Sequence, residues 1–107
     1  MKLAISNLAW PVADDASVAD VLRAHGVGGV ELAPSKVWVR APRVESGVAE
    51  AYAEWWNEAG CAVVAFQALF FGQVDMTIFG DGEVLAATQR HLVAMGTLAA
   101  RCGARVL

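Results

Sequence analysis

At 107 residues, the chain has room for one domain and not two. Hydrophobic residues make up 57% and charged residues 18%, against about 25% charged in an average domain, so much of the chain must be buried. No stretch reaches the roughly 20 apolar residues of a membrane span, Ser6, Asn7, Pro11 and Asp14 interrupt any secretory leader, and a net charge of -3 with scattered basic residues lacks a nucleic-acid binder's footprint. The expected address is the cytoplasm, with neither membrane nor nucleic acid as partner.

In chain order, Leu3 to Ala9 is a short apolar run stopped by Trp10-Pro11, where proline cannot donate to an interior ladder, and it reads as strand one. Val18, Val21 and Leu22 then recur at helical spacing behind Ser17 and Asp20, which are placed for a capping box; the helix closes at His25-Gly26. Gly29 to Ala33, stopped by Pro34, is strand two, and 35–42 carries loop punctuation around Val37-Trp38-Val39. From Ser46 to Gly60 a helical pattern returns, with Val48, Ala49, Tyr52, Trp55, Trp56 and Ala59 on one face.

Cys61 to Phe66 is apolar at every position, which predicts strand three, covered on both faces as in a parallel sheet. A glycine-punctuated loop from Phe70 to Gly82 leads to a third helix carrying Leu85, Leu92, Met95, Ala99 and Cys102. Gly103 closes it, and Arg105-Val106-Leu107 starts a fourth strand. Three helices thus end on glycine, at Gly26, Gly60 and Gly103, with an apolar strand close behind. Strands alternating with helices predict a parallel α/β fold. Gly26-Val27-Gly28-Gly29 lies at a helix-to-strand turn, the wrong place for the phosphate-binding glycines of an open doubly wound sheet. Cys61 and Cys102 form neither a metal cluster nor a C-x-x-C pair and read as buried thiols.

Ala4-Ile5-Ser6-Asn7-Leu8-Ala9-Trp10, Gly29-Val30-Glu31-Leu32-Ala33-Pro34, Phe66-Gln67-Ala68-Leu69-Phe70-Phe71-Gly72, and the stretch from Leu98 to Leu107 resemble segments of sugar phosphate isomerases/epimerases, in the same order and over nearly the whole chain. That family belongs to the xylose-isomerase-like (β/α)8 barrel superfamily. The resemblance implies the N-terminal portion of a TIM barrel, in the order β1-α1-β2-α2-β3-α3-β4 with parallel strands, as one partial domain over 1–107 that stops in or just after strand four. A complete barrel takes about 250 residues. A short gene, a proteolysed product and an assembly of partial barrels are all compatible with that expectation.

The resemblance also implies metal-assisted proton transfer on a ketose or related polyol. In the family, the divalent metal ligands and the two proton-exchanging glutamates stand on later strands. No residue here is carried over to those roles, and no metal is expected to bind this segment alone.

In a barrel the strands' carboxyl ends form the mouth, which makes Asn7, Trp10, Glu31 and Gln67 the candidate substrate-binding residues. Glu31, a carboxylate in an apolar strand, binds a sugar hydroxyl, supports a metal ligand, or is satisfied internally by a neighbouring cation or backbone group. Gln67 and Asn7 can donate and accept bonds to hydroxyls, and Trp10 offers a flat apolar wall. Lys36, Arg40 and Arg43 are candidate phosphate donors but read as a solvated loop. His25 and His91 read as structural or solvated.

Three functions follow from this reading. The first is the substrate-shaping half of an isomerase or epimerase acting on a small sugar or polyol, inactive alone. The second is a non-catalytic partial barrel that self-associates through open sheet edges. The third is a lyase or an endonuclease IV-type enzyme of the same superfamily, the nuclease being disfavoured by the acidic balance.

Overall fold

The structure, a computed structural model, describes residues 2–107. It is an α/β domain built as β1 (Ala4–Ser6), α1 (Asp15–Ala24), β2 (Gly29–Leu32), α2 (Pro34–Val37), α3 (Val48–Glu58), β3 (Ala62–Phe66) and α4 (Gly82–Arg101), with three 3-10 turns at 7–9, 12–14 and 41–43. The strands form one parallel sheet in the order β1-β2-β3.

Residues Ala4, Ile5 and Ser6 pair with Gly29, Val30 and Glu31. Gly29 and Val30 pair with Ala62 and Val63, and Glu31 and Leu32 with Ala65 and Phe66, so Val64 is the extra residue of a bulge. Gly29 must stay small, because a Cβ there would stand 3.0 Å from that of Ala4 and 3.2 Å from Val64.

Each long helix turns an apolar stripe onto the sheet: Ala19 and Leu22 from α1, Ala49, Ala53 and Trp56 from α3, and Met95, Leu98 and Ala99 from α4. They close over Val30, Leu32, Val63 and Phe66. Trp56 is fully buried at the centre, and removing an indole of that size from water contributes roughly 4 to 6 kcal/mol before side-chain entropy is subtracted. The α3 stripe is narrower than the sequence pattern predicts, since Val48 and Trp55 remain exposed.

The four-stranded β1-α1-β2-α2-β3-α3-β4 fragment of a TIM barrel is not what the chain forms. The sheet has three strands, and the four helices include one that the sequence pattern leaves as loop. The expected fourth strand reduces to one parallel bridge between Val106 and Ala65. Two hydrogen bonds hold it, Arg105 N–H to Val64 O at 3.2 Å and Phe66 N–H to Val106 O at 2.9 Å. A strand needs pairing along consecutive residues, and here 105–107 stay exposed.

The expectation that strand three is covered on both faces also fails. Val64 is 37% exposed. An apolar run shows that a strand can be buried twice over, but not that a second layer exists to bury it.

Local boundaries shift for identifiable reasons. Strand one ends at Ser6 rather than Ala9, because the Ser6 hydroxyl accepts the Leu8 N–H at 3.1 Å and draws 7–9 into a turn. Helix α1 starts before Ser17, which caps nothing and instead donates its hydroxyl to Asp14 O at 2.9 Å. Pro34, whose fixed φ suits a first helical position, opens the one-turn α2 inside the expected loop.

Candidate functional site

Parallel pairing brings like ends together, so the carboxyl termini of β1, β2 and β3 meet along one edge. Ser6 and Glu31 are register partners and therefore project from the same face. The Gln67 side-chain amide donates from the end of β3 to the Ser6 hydroxyl on β1, and so crosses the end of β2, where Glu31 stands. The backbone holds it there: Gln67 N–H donates to Leu32 O at 2.8 Å, and Ala68, with φ +54°, turns the chain sharply in the left-handed region.

Glu31 and Gln67 are half-buried. Among the described residues no cation lies within 4.0 Å of the Glu31 carboxylate, so the internal ion pair that the sequence leaves open for it is not made. Ser6, Glu31 and Gln67 thus form a trio of hydroxyl, carboxylate and amide on the uncovered side of the sheet.

The other two sequence-predicted residues sit differently. Asn7 is 1% exposed; its Oδ1 accepts the Ala33 N–H at 2.8 Å, which ties the ends of β1 and β2, while its Nδ2 is left without a partner. It supports the edge from beneath. Trp10 does not supply an apolar wall to this edge, because its ring packs into the core at 6.0 Å from Trp56 and its indole N–H donates to Asp15 Oδ1 at 2.7 Å. Asp15 Oδ2 takes the Tyr52 hydroxyl, also at 2.7 Å. Burial pushes the Tyr52 phenol well above its ordinary range, and the Asp15 carboxylate it faces adds to the shift.

Two positions carry more than the sequence suggests. Ser6 passes as a polar interruption of strand one, and its partnership with Gln67 follows only from the strand register. Lys36, expected in a solvated loop, is half-buried and donates to the backbone carbonyls of both Asn7 and Trp10. The one-turn α2 aims it there, and a pattern that reads 35–42 as loop cannot anticipate that.

Away from the edge, the Arg101 guanidinium grips Glu50 at 2.6 Å and 3.0 Å and holds that carboxyl down at about 2. Burial pushes the Cys102 thiol up to about 11 and also raises that of Cys61. Among the described residues no group of three or more His, Cys, Asp or Glu side chains is placed to hold a metal ion. The trio, with one carboxylate and no imidazole or thiolate, does not fit a divalent metal centre of the kind the resemblance implies. No helix among the described residues is long and apolar enough to cross a membrane.

No protein-family model matches the chain, and neither a curated protein nor a solved structure matches it.

Proposed function

We propose that the carboxyl edge of the sheet binds a polyhydroxylated small molecule, a ketose or related polyol, through Ser6, Glu31 and Gln67. The observation that carries this reading is the half-buried Glu31 carboxylate, with no cation within 4.0 Å among the described residues, beside an amide and a hydroxyl already aligned across three strand ends. Such a carboxylate accepts two hydroxyl protons, the Gln67 carbonyl a third, and the Ser6 hydroxyl, which already accepts from Leu8 N–H and the Gln67 amide, can donate its proton. Asn7 and Lys36 act behind the trio by fixing the end of β1. The isomerase or epimerase activity rests on the family resemblance alone, and this edge would serve it by positioning substrate.

The test is a calorimetric titration of the chain with a panel of ketoses and polyols, alongside turnover assays on the same panel with added divalent metal. Saturable binding of at least one member is expected, weakened tenfold or more in Glu31→Gln and Gln67→Ala. Absence of saturable binding across the panel rejects the reading.

A second reading, self-association through the sheet, is favoured by β1, an edge strand with one hydrogen-bonded neighbour among the described residues, and by the exposure of Ile5 on β1 and Val64 on β3. Light scattering across a hundredfold concentration range checks it, and a constant monomer mass would dismiss it.

A further inference from the structure

A cleft of about 570 Å³ opens between the 3-10 turn at 41–43 and α4, and Arg40, Arg43 and Arg90 line it with Gln73 and His91. The chain has eleven acidic residues against eight Lys and Arg, yet three of those eight gather here, and no Asp or Glu lines the walls. The arginines that are neutralised lie elsewhere: Arg23 pairs with Asp20 and Arg101 with Glu50. Among the described residues no carboxylate stands within 4.0 Å of Arg40, Arg43 or Arg90.

The three arginines are exposed, so water screens their mutual repulsion, and an oxyanion in the cleft would meet guanidinium donors with no competing carboxylate. The walls are also organised. His91 is buried, and its Nε2–H donates to Leu69 O at 2.6 Å, which fastens the β3-to-α4 connection to α4 and sets Gln73 opposite the turn. A smaller hollow of about 250 Å³ shares Val39, Pro42, Gln73 and His91 with the cleft and extends to Ser35.

From this arrangement we infer that the cleft is a binding site for a small dianionic oxyanion, a phosphoryl group or a dicarboxylate, held by forked contacts from Arg43 and Arg90 with Arg40 alongside. The site is separate from Ser6, Glu31 and Gln67 and stands whether or not those residues bind a polyol.

Isothermal titration of the chain with inorganic phosphate, and separately with succinate, at constant ionic strength tests it. Saturable binding is expected, weakened at least tenfold in Arg43→Gln and in Arg90→Gln. Binding should be unchanged in Arg105→Gln, which removes an exposed charge outside the cleft. All three variants keep apolar cores intact, and far-UV circular dichroism verifies their folds. Tighter phosphate binding assigns a phosphoryl ligand and tighter succinate a dicarboxylate, and either supports the site. Non-saturable titrations, equal losses in Arg105→Gln, or binding to anionic phosphatidylserine vesicles without binding to either soluble anion would overturn it.

Discussion

Asp15 at the start of α1 and Tyr52 in α3, 37 residues apart, share a 2.7 Å hydrogen bond, and the second oxygen of the same carboxylate takes the Trp10 indole N–H. One buried carboxylate thus fastens the segment after β1 to two helices while both of its oxygens stay satisfied. Hydrogen bonds to a charged acceptor contribute about 1.5 to 3 kcal/mol each, and losing the acceptor also strands the buried Trp10 indole N–H and the half-buried Tyr52 hydroxyl. Asp15→Ala is expected to destabilise the chain by about 3 kcal/mol or more, read as a lower urea midpoint. Asp15→Asn, which still accepts from Trp10, should lose less. Equal stability of the Ala variant and the parent would contradict this account.

The Glu50–Arg101 pair makes a prediction about acid. Glu50 has its carboxyl lowered from 4.5 to about 2 in the folded chain, chiefly by the Arg101 hydrogen bonds. A depressed folded value means that the stabilisation is fully present above about pH 4.5 and is lost as pH falls through about 2. The difference in melting temperature between the parent and Glu50→Gln should therefore shrink steadily over that window. A difference that stays constant down to pH 2 would show that the pair does not carry the acid sensitivity.

Lys36 offers a third test. Its ammonium group satisfies the Asn7 and Trp10 carbonyls together, and Met at this position keeps the stem but removes both donors. Lys36→Met is expected to cost about 1 to 3 kcal/mol. Amide exchange at 7–10 should quicken more than exchange in α4, and uniform acceleration would mean that the loss is global rather than local.

The two thiols should be chemically quiet. Cys61 and Cys102 are buried, each S–H faces a backbone carbonyl, and both thiols are raised above their ordinary value. Labelling by a disulfide reagent at pH 8 is expected to proceed only as fast as the chain unfolds. Stoichiometric reaction within seconds under native conditions would overturn that expectation.

The parts of the fold that could be read in the sequence are those governed by local chemistry. Proline stopped β2 near the predicted place, whereas β1 ended at Ser6, well before Pro11, and glycines with φ of +70°, +89° and +78° at 26, 60 and 103 follow the helix ends. The number of strands was not legible. Val106 and Leu107 look like a strand because both are apolar and Val106 is β-branched, but a strand exists only by pairing, and theirs amounts to one bridge. The same limit applies at the edge. Glu31 and Gln67 were visible as polar residues at strand ends, while Ser6 depended on register. The inward turn of Trp10 depended on Asp15, a residue whose sequence neighbourhood suggested only a helix start. The arginine cleft was half visible, since Arg40 and Arg43 lie together in sequence but Arg90 joins them only through the packing of α4.

The spatial order of the sheet repeats the order of synthesis, with each strand lying beside the one made just before it. Every new strand therefore extends a template that is already complete on its other side, and no earlier pairing has to be undone to admit it. Loop closure at each step spans only the helix-bearing connection just synthesised, which keeps its entropic cost small. A chain built this way can set its alignment progressively as it leaves the ribosome, with Gly29 ensuring that the second strand seats flush between its neighbours.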